Sequence, residues 1–423
     1  MKYNKINPNL FIKNRKKLSC VLNANSVAVV FSADEFIRNG DQTHKYRQNS
    51  DLFYLSGIEQ EKTILLLIPD EAEKEILFII RPNEKMETWN GHKLTKQEAQ
   101  EISGIENIKF IDEFDETLNK ILPKYKEIYI GNTDTKTQTE YITIEKRFEE
   151  KLKIDFPNHK FSDLFEFLHP LRTIKEPEEI EIIKQACEIT KNTFFEILKT
   201  TKANIKEFEI EAKISYEFAK RGAEHAYLPI VASGKNACTL HYISNDKTMN
   251  NGELLLLDFG AEYANYASDC SRTIPVNGKF TERQKACYNA VLKVFNEIKK
   301  QFVVGNTIQN INQQANKLME KEMINLGLFT EKDVENQNPE NPLCKKYFMH
   351  GTSHFMGLDV HDVGKKTEIL QKGMILTCEP GIYIEAENIG IRIENNILID
   401  DEPIDLMAEI PLEIDEIEKL MQK

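Results

Sequence analysis

Four short apolar runs mark the first part of the chain: SVAVVFSA (26–33), KTILLLIP (62–69), EILFIIRP (75–82) and EIYIG (127–131). Runs of this length, rich in β-branched and aliphatic side chains, predict strands of a buried or half-buried sheet. Stretches rich in Lys and Glu between some of them predict helices. No phosphate-binding glycine loop accompanies them. Residues 1–168 are therefore read as an α/β domain.

The pattern changes at FLHPLRTIKEPEEIE (167–181), where two prolines and a run of charge interrupt it. Pro177 suits the first turn of a new helix. Ile180, Ile183, Cys187, Phe194 and Leu198 then recur at helical spacing. A second helix is predicted over 206–221, stopped by Gly222. Strands follow in YLPIVASG, GELLLLDFG and NYASDCSRTIPV. The same order then recurs. TERQ (281–284) is a capping box opening a helix to 303. Another helix runs from Thr307 to Leu326 and stops at Gly327. Strands return in SHFMGLDVHD, GMILTCEPGIYIE and GIRIENNILI. Residues 169–423 thus read as an α+β domain of helix-helix-sheet twice over, an internal duplication.

Composition narrows the functional classes. The net charge of −13 argues against nucleic acid as a partner, and basic runs such as Lys13 to Lys17 are short. No apolar run approaches the ~18 residues a membrane span needs. The start, Met1-Lys2-Tyr3-Asn4, lacks the apolar stretch of a secretory signal. The seven cysteines form no C-x-x-C pair. An odd number without such pairs points to free thiols in the cytoplasm, not a disulfide framework or a zinc finger.

The candidate chemistry is concentrated. FMHGTSHFMGLDVHDVG (348–364) holds three of the nine histidines, His350, His354 and His361, and two aspartates. Neither a core strand nor a solvated helix needs such a cluster; a site that handles protons or metal does. Asp258 ends the apolar strand ELLLLD, where a turn aspartate is the ordinary explanation. Asp269 follows within YASDCSRT, and if the two segments pair, the carboxylates face each other. Facing carboxylates repel unless a cation or proton lies between them. Glu379 ends another apolar strand, in LTCEPG. Glu394 lies in IRIEN, after Ile391 and Ile393, where pairing with Arg392 or Lys372 is the simpler alternative to ligation. Together, four carboxylates and His354 form an oxygen-rich donor set. It suits two divalent ions, Mn²⁺ foremost, with Zn²⁺ or Co²⁺ as alternatives.

LLLLDFG, ASDCSRT, MHGTSHFMGLDVHDVG, LTCEPGIYI and GIRIEN, in this order, resemble the metal-binding motifs of the pita-bread metallopeptidases. That family includes aminopeptidase P, prolidase and methionine aminopeptidase. YRQNSDLFYLSGIEQ (46–60) resembles the N-terminal domain carried by the first two, so the likeness spans almost the whole chain. SGKNACTLHY and TIPVNGKFT are most similar to aminopeptidase P. The resemblance implies a pita-bread C-terminal domain with pseudo-two-fold duplication. It implies that Asp258 and Asp269 ligate one metal, that Asp269 bridges to the second, that His354 and Glu379 hold the second, and that Glu394 bridges both. Glu379 is then the general base for a metal-bridging hydroxide. His361 binds substrate and moves protons, His241 steadies the tetrahedral intermediate, and His350 lines a proline pocket. Arg392 and Tyr227 support the metal carboxylates. Ser271 stands where relatives often have threonine. Cys270 and Cys378, beside ligands, are read as packing residues. Gly351 and Gly357 are expected to let the chain pass close to metal and substrate.

The implied activity is release of the N-terminal residue from peptides with proline second. A prolidase confined to dipeptides is the nearest alternative. A ligand-free scaffold on the same fold is a distant one, since all five ligand positions are filled. Aminopeptidase P-like N-terminal domains build homodimers or homotetramers. Trp89, the only tryptophan, sits in the polar METWNGHKL. It is expected in a loop, reaching across a subunit interface to bind substrate in a neighbour's cleft.

Overall fold

The computed structural model describes residues 2–71, 74–131 and 141–422. The chain divides into two compact units, Asn4–Arg172 and Thr173–Lys423, the latter together with Met1–Tyr3.

In the first unit a helix, α1 (Asn9–Val21), precedes a six-stranded sheet. Its strands are β1 (Ser26–Phe31), β2 (Ile64–Leu67), β3 (Glu75–Ile79), β4 (Ile108–Phe110), β5 (Glu127–Ile130) and β6 (Lys160–Asp163), in the spatial order β4-β3-β2-β1-β5-β6. β1 pairs antiparallel with β2 and parallel with β5. The four apolar runs are the four central strands. Val27, Val29, Phe31, Leu66, Phe78 and Ile128 face a common core. The two edge strands, IKF and KFSD, are short and partly exposed. Charged, short edges discourage further pairing and leave no apolar run to read. Trp89 lies on a short helix, α2 (Glu84–Asn90), and not in a loop. Asn83 caps its start by accepting the N–H groups of Lys85 and Met86, and Gly91, at φ +80°, ends it.

The second unit shows the duplication. α3 (Pro177–Thr200) and α4 (Glu207–Lys220) pack together, followed by β7 (Ile230–Ser233), β8 (Leu254–Asp258) and β9 (Ser271–Pro275) in one antiparallel sheet. α5 (Glu282–Lys299) and α6 (Ile308–Asn325) then pack together. β10 (Ile375–Cys378), β11 (Gly381–Ile384), β12 (Ile389–Arg392), β13 (Asn395–Leu398) and β14 (Ile404–Asp405) follow. Local signals start and stop these helices. Pro177 opens α3. The capping box of α5 is complete, with Gln284 N–H donating to Thr281 Oγ1 at 3.3 Å and Thr281 N–H to Gln284 Oε1 at 2.9 Å. Gly222 follows α4 at φ +72°, and a Cβ there would lie 2.4 Å from the Lys2 carbonyl oxygen.

Three predicted strands are interrupted and a fourth is absent. Residues 268–270 leave the ladder before β9. GMILTCEPGIYIE and GIRIENNILI each split in two, at Glu379-Pro380 and Ile393-Glu394. Pro380 has no N–H for a ladder, and the partner changes at each break: β10 pairs with β13, β11 with β12. SHFMGLDVHD is a loop, touching β10 through an isolated bridge between Phe355 and Leu376.

Candidate metal centre and cleft

Each half of the duplication presents two carboxylates by the same local device. Asp258 is the last residue of β8, and Asp269 lies two positions before its partner β9. Glu379 lies one position after β10, and Glu394 one position before its partner β13. Residues just outside a ladder are free of its alternating pleat. The breaks that spoil the predicted strands thereby aim Asp269, Glu379 and Glu394 to one floor with Asp258, at the end of its ladder.

One donor atom each from Asp269, His354 and Glu394 lies within 4.8 Å of the other two. The Tyr227 hydroxyl sits 2.6 Å from both Asp258 Oδ1 and Asp269 Oδ1, joining Asp258 to this group. His354 Nε2 lies 3.4 Å from Asp269 Oδ2 and 3.8 Å from Glu379 Oε1. His354 Nδ1 donates to the Phe355 carbonyl at 2.9 Å, which turns Nε2 towards the acids. His350, His354, Glu379 and Arg392 border the same cleft of about 380 Å³.

Surrounding hydrogen bonds fix the set. Arg392 Nη2 donates to Asp258 Oδ2 at 2.5 Å, and Arg392 Nε donates to Ser271 Oγ at 2.8 Å. Ser271 Oγ donates onward to Glu394 Oε2 at 2.7 Å. Glu394 therefore pairs directly with neither Arg392 nor Lys372; the latter pairs with Asp400 and Asp401. Arg272, fully buried, donates to the Glu394 carbonyl at 2.7 Å. Asn396 clasps Asp269 through both its backbone N–H and C=O. Arg272, Asn396 and Tyr383 carry no signal of their own in the sequence, and Ser271 only its place in ASDCSRT. They are polar residues of ordinary strands until the strand breaks aim them.

The electrostatics fit a cation. Burial, then repulsion from Asp269, Glu379 and Asp258, raises the Glu394 carboxyl well above its usual range. Burial raises Asp258 despite Arg392, and pushes Glu379 up to about 7 despite His354 and Arg392. Burial opposes the charge on His354, yet the hydrogen bond to Asp269 and the field of Glu379 push it up to about 9. A set that resists full ionisation, built of oxygens and one imidazole, is the donor chemistry of divalent ions.

Around this floor, His350 is held neutral. Burial, then Arg392, lowers it to about 3. Arg392 Nη1 donates to the Tyr383 hydroxyl (2.7 Å), which donates to His350 Nε2 (2.8 Å), while Nδ1 donates to the Gly351 carbonyl (2.6 Å). His241 and His361 line the same cleft and are exposed. The His361 ring stands edge-on to His354 with centroids 4.4 Å apart. Ile230, Leu240, Ile243, Leu228 and Val360 form an aliphatic wall. Cys270 and Cys378 are fully buried, and all seven cysteines are free. Trp89 is 82 % exposed and belongs to the other unit.

The two glycines differ in their protein surroundings. A Cβ on Gly351 would meet nothing closer than 3.8 Å. A Cβ on Gly357 would lie 2.3 Å from Asp362 Oδ2 and 2.7 Å from Lys175 Cε, so this glycine makes room for a buried ion pair. Lys175 Nζ lies 3.2 Å from Asp362 Oδ2, and both side chains are 1 % exposed. Lys175→Met is expected to cost about 3–5 kcal/mol, because Asp362 loses its ammonium partner in a buried place. Lys175→Met with Asp362→Leu should recover most of that loss. Thermal or urea unfolding of the three proteins checks this; equal stability of Lys175→Met and parent would refute it.

A buried four-carboxylate floor beneath an open cleft is the architecture of a metal-dependent hydrolase. The profile of metallopeptidase family M24 matches residues 181–401, and that of the aminopeptidase P N-terminal domain matches residues 11–129. The chain belongs to metallopeptidase family M24. It is 36% identical to the Xaa-Pro aminopeptidase of Haemophilus influenzae over 427 residues, covering 97% of this chain and 96% of that protein. The Xaa-Pro aminopeptidase of Escherichia coli is 34% identical over 438 residues, with 97% of both chains covered. Among solved structures, aminopeptidase P of E. coli with the inhibitor Pro-Leu superposes with a TM-score of 0.90 at 32% identity, covering 99% of each chain.

Proposed function

We propose that the protein is a metallo-aminopeptidase that releases the N-terminal residue from peptides with proline at position two. The observation that carries this reading is the convergence of Asp258, Asp269, His354, Glu379 and Glu394 at the floor of a histidine-rimmed cleft. Full-length similarity to two Xaa-Pro aminopeptidases supports the substrate class. We assign these five residues as ligands of two divalent ions. Mn²⁺ is the first choice, supported by four oxygen donors to one nitrogen, ahead of Zn²⁺ or Co²⁺. The bound ions supply a polarised carbonyl and an activated water at neutral pH. Asp269 and Glu394, whose donor atoms lie within 4.8 Å of each other, would be the acids shared by both ions.

The chain's own groups do the rest. Glu379 takes a proton as general base, a role supported by its raised pKa. His241 contacts the scissile carbonyl. His361 carries a proton towards the leaving proline nitrogen. His350, held neutral against Tyr383, faces the proline ring. Tyr227 and Arg392 keep the acidic side chains in place. Exhaustive chelation is expected to abolish hydrolysis of a Xaa-Pro-Xaa tripeptide, and Mn²⁺ to restore it best. Full activity with metal content near zero would overturn the mechanism. Cleavage of a Xaa-Pro dipeptide but no tripeptide would make the protein a prolidase.

The seven free thiols support a cytoplasmic setting. No helix among the described residues is long and apolar enough to cross a membrane. We also propose a homodimer or homotetramer in which Trp89 reaches a neighbour's cleft, a role supported by its exposure on a capped helix. Trp89→Ala should then change assembly size or the preference for longer peptides; if both stay as in the parent, the role is wrong.

A further inference from the structure

The cleft wall that carries Leu240, His241 and Ile243 has little secondary structure of its own. After a 3-10 turn at Gly234–Cys238, residues 239–247 form neither helix nor strand. The segment nevertheless converges on one carboxylate. Glu207 is the first residue of α4 and is fully buried. Its Oε1 accepts hydrogen bonds from Ser233 N–H (2.7 Å), Ser233 Oγ (2.7 Å) and Asn236 Nδ2 (3.1 Å). Its Oε2 accepts from the Tyr242 hydroxyl (2.8 Å) and from Lys247 N–H (3.0 Å). Its own N–H donates to the Lys247 carbonyl at 2.9 Å.

Five donors saturate a carboxylate, which offers about four lone-pair sites. No Lys or Arg among the described residues forms an ion pair with it, so these dipoles and the positive end of α4 carry the charge. The donors are not scattered. Ser233 and Asn236 stand before the segment, Tyr242 is next to His241, and Lys247 closes it. One buried group therefore holds the start, the middle and the end of the wall. Asn245, at φ +46°, adds a second tie through the Val231 N–H and the Pro229 carbonyl.

We propose that Glu207 is a positioning residue for turnover: its carboxylate holds segment 233–247 so that His241 meets the substrate. The proposal rests on the peptidase function given above. Glu207→Gln turns part of the acceptor into a donor, so at least one of the five donors meets another donor. Its kcat/KM on a Xaa-Pro-Xaa peptide is expected to fall ~10–100-fold, as for other groups that orient an active residue. Metal content should stay at the parent level. The double variant with His241→Ala separates this role from plain stabilisation. It should be no slower than His241→Ala alone, because Glu207 acts through that histidine. Losses that multiply, or metal lost from Glu207→Gln, would overturn the proposal. If Glu207→Gln does not fold, Tyr242→Phe removes one donor and leaves the carboxylate. It should lower kcat/KM in the presence of His241 and not in its absence; the opposite pattern would overturn the proposal. Hydrogen exchange gives a reading independent of substrate. Amides of 239–247 should exchange faster in both variants than in the parent, with those of β8 unchanged. Unaltered exchange refutes the tether. A parent that cleaves no Xaa-Pro peptide refutes the function instead.

Discussion

Glu394→Ala is expected to strip the protein of divalent metal and, with it, all measurable turnover. Glu394 is 2 % exposed and lies at the break between β12 and β13, with one donor atom within 4.8 Å of donors on both Asp269 and His354. Its position is over-determined. Ser271 holds its carboxylate, its N–H donates to the Ser271 carbonyl at 3.1 Å, and Arg272 holds its carbonyl. Such a group does not drift aside to let a neighbour replace it. His354→Ala removes a neutral donor and leaves four acids, so the charge balance with two divalent ions survives. It should retain more metal than Glu394→Ala, although it too loses activity. Elemental analysis of both purified variants decides, and two ions retained in Glu394→Ala would end the bridging assignment.

The same variant makes a prediction of opposite sign for the metal-free fold. The Glu394 carboxyl is raised well above its ordinary value, chiefly by burial and then by Asp269, Glu379 and Asp258. A carboxyl whose pKa is higher folded than unfolded destabilises the fold at every pH above its unfolded value. Near neutral pH the cation-free parent therefore carries a repulsion that Glu394→Ala lacks. Metal-free Glu394→Ala should melt no lower than the metal-free parent, while the metal-loaded parent melts higher than both. A metal-free variant that melts well below the metal-free parent would show that Glu394 is a structural residue first.

The acids were legible because each ends or flanks an apolar run where an isolated charge is out of place. Their convergence was not. Alternation puts Arg392 and Glu394 on one face of a continuous strand, and only the break at Ile393-Glu394 shows that ladder pairing changes there. Ser271 and Asn396 look like ordinary strand residues for the same reason. Edge strands such as KFSD escaped because an exposed edge need not be apolar. SHFMGLDVHD looked like a strand because Phe355, Met356 and Leu358 are buried, but they pack from a loop. Glu207 carries no local signal at all. A glutamate in the first turn of a helix is commonplace, and its five donors come from residues 26 to 40 positions away.

His361→Ala should fold, keep its metal and lose ~10²–10⁴-fold in kcat, the range of a proton-transfer group. The ring is exposed at the cleft, and no described residue hydrogen-bonds to it, so both nitrogens can reach a substrate. Desolvation on its inner side, then the neighbouring His354, lowers its pKa, which favours the neutral imidazole that can accept a proton. Its backbone is firmly held. Asp362 N–H donates to the Phe355 carbonyl at 3.0 Å, the same oxygen that orients His354, and the Asp362 side chain pairs with Lys175. Removing the imidazole should therefore leave the loop and His354 in place. That separates this variant from Lys175→Met, whose loss is in stability. The expected pattern is a fall in kcat with KM within a few-fold of the parent, unchanged metal content and an unchanged melting temperature. Activity within a few-fold of the parent would remove His361 from the catalytic assignment, and metal loss alongside the fall in kcat would make it a support for His354 instead.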